Sequence, residues 1–380
     1  MKIGVPKEIK NHEYRVGVTP AGVKALVQAG HDVYVENNAA VKIGLDNDAY
    51  IRAGAVIVPT AEDVYAQPMV IKVKEPQAPE LEMLREGQVL FTYLHLAPDP
   101  QQTAKLLEKK VIGVAYETVT DNKGRLPLLT PMSEVAGRIA IQAGATGLQM
   151  ANGGNGMLLG GVPGTPPAKV IVVGAGVVGT EAAKMALGLG ADVTILDTNI
   201  DRLRYLDDTM GRVLKTRFSE PYAIEELTLQ ADLVIGSVLI PGKQAPKLIT
   251  QQHVQAMKPG SVLVDVAIDQ GGCTETSRPT SHSEPYYIEH DVVHYCVTNM
   301  PGATARTSTF ALTNATLPYA LELANKGYRQ ALLDNAGLRD GLNVHLGRVA
   351  NQCVAEDLGY EFVPAMDVLQ DRQSSLELAS

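Results

Sequence analysis

Between Lys169 and Thr198 the chain reads KVIVVGAGVVGTEAAKMALGLGADVTILDT. An apolar, β-branched run from Val170 to Val173 meets Gly174-Ala175-Gly176-Val177-Val178-Gly179. A helix-forming stretch follows, and a second apolar run, Val193 to Leu196, ends on Asp197. Each part has a use. Gly174 allows a tight turn out of the strand, Gly176 lets bare backbone approach a pyrophosphate, and Gly179 permits close helix–strand packing. The helix N-terminus offers unpaired N–H groups to the phosphates. Asp197, at the tip of the second strand, is placed to accept from a ribose 2′-hydroxyl. Strand, helix, second strand and acid together read as a dinucleotide site. The carboxylate favours NAD over NADP, whose 2′-phosphate would meet a negative charge, whereas Arg202, five residues on, pulls the other way. The bland alternative is a doubly wound domain with an empty crevice.

A second set of polar residues follows apolar runs in the first 125 residues. Lys7 and Glu8 follow Ile3 to Val5, Lys74 and Glu75 follow Val70 to Val73, His95 follows Phe91 to Leu94, and Glu117 follows Val111 to Tyr116. Arg15 lies in Arg15-Val16-Gly17-Val18-Thr19-Pro20, before the first helical stretch. In open α/β sheets ligands bind beyond the carboxyl ends of the strands, so Arg15, Lys74 and His95 form a candidate cationic rim. Taken singly, Arg15 and Lys74 also read as surface charges and His95 as a packing histidine. Lys72 and Lys74 share strand parity, so one of them belongs to a polar face. Further along, Val264-Asp265-Val266-Ala267-Ile268-Asp269-Gln270-Gly271-Gly272 is a strand running into a glycine turn. It places Asp269 just past a strand end, as a reactive carboxylate or as a turn former.

The elements that must hold these residues follow from periodicity. The first 125 residues alternate apolar runs with helical segments at Pro20 to Ala29, Ala61 to Tyr65 and Pro100 to Lys109, and a second alternating block runs from about Ala168 to Met300. Such alternation predicts mostly parallel sheets with helices on both faces. Pro131 to Met150 and Thr309 to Lys326 read as helices linking the blocks, and the last 50 residues read as mostly helical. The expected architecture is α/β, with two Rossmann-like, doubly wound parallel-sheet domains and an interdomain cleft. Residues 1–130 plus 306–380 form a discontinuous substrate domain, and 131–305 a nucleotide domain that includes the linker helix. The active site is expected in the cleft. The tail from Gln373 reads as loose.

Composition narrows the partners. The 380-residue chain is 45% hydrophobic and 20% charged, with a formal charge of −9, which disfavours nucleic acid and anionic membrane surfaces. An anionic substrate therefore needs local Arg or Lys. The three cysteines, Cys273, Cys296 and Cys353, match no metal-ligand spacing and are odd in number, so a cytoplasmic, disulfide-free protein is the simplest reading. No run approaches the ~18 apolar residues of a membrane helix, and no charged-then-apolar leader precedes the first strand.

The segments MKIGVPKEIKNHEYRVGVTP, VIKVKEP, LFTYLHLAP, GVAYETV, PMSEVAGR, VVGAGVVGTEAA, SVLIPGKQAPKLIT and VDVAIDQGG closely resemble the alanine dehydrogenase family, which shares its fold with the soluble part of proton-translocating transhydrogenase. The resemblance covers essentially the whole chain. Transhydrogenase-like chains lack the histidine at the position of His95 and the aspartate at that of Asp269, and both are present here. The resemblance implies that Arg15 and Lys74 bind the substrate's carboxylate and carbonyl, that His95 is the acid/base group, and that Asp269 is the second catalytic residue. It implies cofactor contacts from Ser133, Val177, Val178, Asp197, Arg202, Ser219, Val238 and Leu239. Further contacts are implied for Val266, Ala267, Ile268 and Asp269, and for Thr298, Asn299, Met300 and Pro301. Some members carry a divalent ion near the position of Glu117 and a later histidine. No histidine stands around Lys326, so no metal is carried over. A homohexamer is implied by the resemblance alone.

The implied reaction is the reversible oxidative deamination of L-alanine to pyruvate and ammonia, with NAD accepting hydride at nicotinamide C4. Arg15, a planar fork, suits a bidentate grip on the substrate carboxylate, and Lys74 polarises the carbonyl of pyruvate. Histidine changes charge between pH 5 and 8, which suits His95 to move protons as the imine takes up water and expels ammonia. Asp269 orients the water or amine. Leu129 and Met132 wall a methyl-sized pocket. A transhydrogenase-like nucleotide-binding subunit, a regulatory NAD sensor, and a dehydrogenase for another small amino or 2-hydroxy acid stay open at this point.

Overall fold

The computed structural model describes residues 1–238 and 244–371. Leu239, one of the candidate cofactor contacts, and the tail from Gln373 lie outside the described residues. The chain divides into two compact units, Met1–Met132 with Thr304–Ser380, and Ser133–Ala303.

The first unit opens with β1 (Lys2–Val5), β2 (Asp32–Glu36), β3 (Val56–Val58), β4 (Met69–Ile71), β5 (Val89–Thr92) and β6 (Ile112–Ala115). The second holds β7 (Lys169–Val173), β8 (Asp192–Asp197), β9 (Leu214–Phe218), β10 (Leu233–Gly236), β11 (Val262–Asp265), β12 (Tyr286–Glu289) and β13 (Val292–Tyr295). The C-terminal part supplies β14 (Leu342–His345) and β15 (Arg348–Val349) to the first unit. The first sheet has the order β15-β14-β6-β5-β4-β1-β2-β3, and the second β12-β13-β11-β10-β7-β8-β9. Pairing is parallel from β6 to β3 and from β13 to β9, with antiparallel β14, β15 and β12 at the ends.

The central strands are buried along nearly their whole length, as in β7, where only Lys169 of Lys169–Val173 is exposed. That is why they read as unbroken apolar runs rather than as alternating ones. Tyr65, Val70, Leu90, Leu94, Leu106 and Val344 anchor one core, and Ile171, Val173, Leu196, Ile224, Val234 and Leu263 anchor the other.

Both sheets reverse their winding beside the first strand of their unit. In the first the reversal falls between β1 and β4, in the second between β7 and β10. Crossovers leave to opposite sides at such a point, which opens a crevice at the strands' carboxyl ends. The candidate residues cluster at these two places.

Four short strands depart from the sequence reading. The last 50 residues, expected to be mostly helical, contain the β14–β15 hairpin. Its two-residue turn, Leu346-Gly347, has φ of 47° and 85°, the left-handed pair that suits a tight hairpin. A leucine at the first position hides that turn from a reading that looks for Asn or Asp. The edge strands β9 (LKTRF) and β12 (YYIE) are half exposed and carry charges, so they lack the apolar run that marks the buried strands.

Candidate active site

At the first crevice the chain leaves β1 into Lys7 and Glu8. Glu8 is buried, and one of its oxygens, Oε1, accepts from the N–H of Val73 at 2.6 Å and of Lys74 at 3.3 Å. Its other oxygen accepts from Lys72 Nζ at 3.0 Å, and Lys72 also donates to Glu80 Oε2 at 3.1 Å. Lys72, not Lys74, is thus the lysine with no exposed surface. The shared parity is broken because β4 ends at Ile71 and the backbone turns before Lys74, leaving that side chain half-buried. Burial works against the Lys72 charge, yet Glu8 and Glu80 hold its pKa above the ordinary lysine value.

The loop bearing Arg15 lies against the same turn. A Cβ on Gly17 would stand 2.6 Å from the Ile71 carbonyl oxygen, so only glycine allows that approach. Arg15 is 2% exposed. Its Nε and Nη2 donate to the two oxygens of Glu13 at 2.7 and 2.6 Å, and Nη1 donates to Met132 Sδ at 3.0 Å. The side-on face of the fork therefore serves Glu13. Nη1, at the end of the fork, meets Met132, so the guanidinium is already engaged where the sequence suggests a bidentate grip on a substrate carboxylate. Burial opposes the guanidinium charge, and Glu13 more than offsets it, raising the pKa above the arginine norm. Met132 stands at this anchor, while Leu129 is half-buried in the segment before it.

His95 follows β5 in a left-handed backbone conformation, with φ of 47°. Such a conformation in a non-glycine residue needs outside support. Glu117, just after β6, provides it by accepting from the N–H groups of Leu94 at 3.2 Å and His95 at 2.7 Å. Gln102 donates to the Leu94 carbonyl at 2.7 Å and Thr103 to the Leu96 carbonyl at 3.0 Å, fixing the loop on either side. The imidazole is 43% exposed, with Nδ1 3.9 Å from Glu117 Oε1. One face stacks on Tyr93, centroids 5.7 Å apart and planes at 7°. Burial pushes the Tyr93 hydroxyl well up against the pull of Arg15, so it remains a donor, to the Leu128 carbonyl at 2.6 Å. Arg15, Lys74 and His95 thus rise from one edge of one sheet.

In the second unit the glycine loop joins β7 to helix Val177–Gly188. Gly174 has φ of 102°, and a Cβ on Gly179 would lie 1.8 Å from the Gly174 carbonyl oxygen. A Cβ on Gly176 would meet nothing within 4 Å, and Val177 is exposed. The backbone there faces open space, which fits a pyrophosphate laid on the helix N-terminus. Asp197 accepts from Ala175 N–H at 2.7 Å and Asn199 N–H at 2.8 Å. Its carboxylate therefore shapes the loop as well as standing at the strand tip. Arg202 donates from Nε to the Ala175 carbonyl and from Nη2 to Thr180 Oγ1, both at 2.7 Å. It braces the loop, which removes the argument it offered for a 2′-phosphate. Ser219 donates its N–H to the Asp197 carbonyl at 2.9 Å. Val238, past β10, is half-buried near Gly174, where a Cβ would come within 3.1 Å of its Cγ2. A Cβ on Gly137 would lie 2.2 Å from the Val178 carbonyl, which seats helix Thr130–Gly147 against the loop. Ser133, one turn earlier, is on the same face of that helix.

Past β11, Val266–Gln270 forms a 3₁₀ turn carrying Val266, Ala267, Ile268 and an exposed Asp269. The turn is organised by Asp265, which sequence reasoning passed over in favour of Asp269. Asp265 is fully buried and accepts from Ala267 N–H, Thr274 N–H and Ser277 Oγ, the last at 2.6 Å. Cys273 donates to it from Sγ at 3.6 Å, and burial and that carboxylate push the thiol pKa far up. Past β13, Thr298 is exposed, Asn299 has φ of 61°, and Met300–Thr304 is a 3₁₀ turn that includes Pro301. Glu13 and Asp265 were missed, and Glu8 was noted after the first strand without its role, for one shared reason. Each acts on backbone or on another charge, and residue type alone does not reveal that. No group of three or more His, Cys, Asp or Glu suited to hold a metal ion occurs among the described residues.

One switch point shaped for a pyrophosphate, and another presenting anchored cations beside a histidine, define an α/β dehydrogenase. The family described as "Alanine dehydrogenase/PNT, N-terminal domain" matches residues 4–136, and "Alanine dehydrogenase/PNT, C-terminal domain" matches residues 140–352. The chain belongs to the alanine dehydrogenase/PNT family. It is 55% identical over 373 residues to an alanine dehydrogenase of Methanococcus maripaludis, covering 98% of this chain and 100% of that one. With an alanine dehydrogenase of Bacillus subtilis it shares 56% over 375 residues, covering 98% and 99%. A solved L-alanine dehydrogenase superposes with a TM-score of 0.92 at 50% identity, over 94% of this chain and 99% of that one. A transhydrogenase from Sinorhizobium meliloti shares the fold, with a TM-score of 0.79 at 24% identity over 93% and 99%.

Proposed function

We propose that this chain catalyses the reversible oxidative deamination of L-alanine to pyruvate and ammonia with NAD as hydride acceptor. The observation that carries the reading is the rim of the first sheet, where the paired Arg15, the backbone-clamped Lys74 and the strained His95 share one edge. NAD, when bound, supplies the electrophilic C4 that takes the hydride. Gly174, Gly176 and Gly179, with the helix N-terminus, cradle its phosphates, and Asp197 binds its ribose. Arg15 takes the substrate carboxylate. Lys74 polarises the carbonyl oxygen of pyruvate. His95 gives and takes the protons that imine hydration and ammonia release require, and Asp269 orients the water or amine and offsets transient positive charge.

Purified protein given L-alanine and NAD is expected to raise absorbance at 340 nm, and pyruvate with ammonia and NADH to lower it. Binding of NADH without turnover of either set sinks the dehydrogenase reading and leaves a nucleotide-binding subunit. A panel of small amino and 2-hydroxy acids fixes the substrate breadth. Among the described residues no helix is long and apolar enough to cross a membrane, and the three cysteines form no disulfide. A cytoplasmic homohexamer completes the proposal, and sedimentation velocity measures its assembly.

Asp197 sets the cofactor preference in this reading. Asp197→Ala removes the ribose acceptor, the repulsion of a 2′-phosphate, and the two backbone bonds described above. The ratio of kcat/KM for NAD to that for NADP is expected to fall about tenfold or more, the worth of one charge-assisted hydrogen bond. Equal use of both cofactors by the unmodified protein would show that Asp197 does not discriminate.

A further inference from the structure

We propose that Glu8 and Lys72 form a positioning pair for Lys74, fixing where its ammonium meets the substrate. The inference rests on the dehydrogenase reading above and deepens it, since neither residue is among those expected to touch substrate or cofactor.

The contacts of the pair converge on one residue. The Lys74 N–H donates to Glu8 Oε1 at 3.3 Å, and its carbonyl accepts from Lys72 Nζ at 3.0 Å and from Thr92 Oγ1 at 2.9 Å. Both peptide groups of Lys74 are thereby held by side chains. The reason is local. The β4 ladder ends at Ile71, and two successive N–H groups, of Val73 and Lys74, then point at a single carboxylate oxygen. Successive N–H groups of this kind make a natural anion seat, here filled by the chain's own glutamate. Bonds to an ionised acceptor are shorter and stronger than neutral ones, so the turn is held firmly.

The arrangement is a costly way to obtain stability alone. Glu8, Lys72 and Glu80 are all buried, and an apolar trio of similar volume generally stabilises a fold as well or better. What an apolar trio lacks is a directional grip on the backbone of residue 74. The close approach of Gly17 to Ile71 and Lys72 lays the loop bearing Arg15 against the same turn, while the side-chain bonds of the pair themselves end on residue 74. Glu8→Gln retains an acceptor for Val73 and Lys74 only by turning its amide N–H₂ toward Lys72, donor against donor. Glu8→Asp keeps the charge but is one methylene too short to reach both the backbone and Lys72.

The test is binding of oxamate, an unreactive analogue of pyruvate, to the intact protein loaded with NADH. Glu8→Gln, Glu8→Asp and Lys74→Ala are each expected to raise the oxamate Kd at least ~10-fold, with the Kd of NADH itself within about twofold of unmodified protein. The double variant Glu8→Gln/Lys74→Ala is expected to bind oxamate no more weakly than Lys74→Ala alone, because Glu8 acts only through Lys74. An oxamate Kd in both Glu8 variants within twofold of the unmodified protein overturns the pair's role, as do losses that multiply in the double variant. A parallel loss of NADH binding in both Glu8 variants also overturns it, since the pair would then support the fold at large. Unmodified protein that binds oxamate but does not oxidise alanine overturns the dehydrogenase reading and leaves the clamp to be judged on the binding data.

Discussion

Replacing His95 and Asp269, singly and together, is expected to cost nearly the same turnover in all three variants. Each single loss should fall near 10²–10⁴-fold, the range for a positioned proton carrier. The double variant should lose little more, because groups that act in one step are strongly non-additive. The His95 substitution is best made to asparagine. At a φ of 47° an alanine adds backbone strain of its own, whereas asparagine tolerates the left-handed region. Asp269→Ala is structurally mild, since the exposed carboxylate is not the one that builds its turn and Asp265 remains to do so. NADH should still bind to all three, as followed by fluorescence, since neither residue is asked to hold the cofactor's phosphates even though Asp269 stands among the implied cofactor contacts. A double loss equal to the product of the single losses, or near-normal turnover by His95→Asn, would disprove the shared step.

Turnover by Lys74→Ala should be nearly abolished while NADH still binds. Arg15→Lys is expected to raise the KM for pyruvate by about tenfold to a hundredfold, as a lost charge-assisted contact would. The structure sharpens the reason for the second expectation. Arg15 already gives Nε and Nη2 to the two oxygens of Glu13. A lysine has one ammonium, which has to choose between the buried Glu13 and the substrate. Arg15→Ala is a poorer probe. It removes the cation paired with the buried Glu13 carboxylate, and removing one partner of a buried pair typically costs about 3–5 kcal/mol. Unchanged pyruvate kinetics in Lys74→Ala or Arg15→Lys would return that residue to the role of a plain surface or structural charge.

The parts of the fold legible in the sequence were those where one physical signal dominates. Val170 to Val173 and Val262 to Val264 are buried on both faces, and nothing but an apolar run satisfies such a place. The glycine loop was legible for a similar reason. A Cβ on Gly179 has no room, so the residue type reports the packing directly. Legibility failed where residue type and role separate. Lys72 and Lys74 look alike in sequence, and only the turn after Ile71 sends one inward and leaves the other half-buried. Glu13 stands two residues from Arg15 in a stretch without helix or strand periodicity to show that the side chains meet. Asp265 and Asp269 lie four apart on one turn. The chemically suggestive one is exposed, while the one that shapes the turn is buried at the strand end.

The burial of the thiols has a practical consequence. Cys273 and Cys296 are buried in the second unit, both with pKa raised by burial, whereas Cys353 is exposed in the first. Thiol reagents attack the thiolate, so native protein offers one fast target and two that react only when their surroundings open. Counting labels against time by intact-mass spectrometry therefore yields a clock for opening of the nucleotide unit, with Cys353 as the internal standard in the same chain. If the dinucleotide stabilises that unit, its addition slows the second and third labels and leaves the first unchanged. Ligand affinity then becomes readable from a mass spectrum, with no chromophore and no turnover.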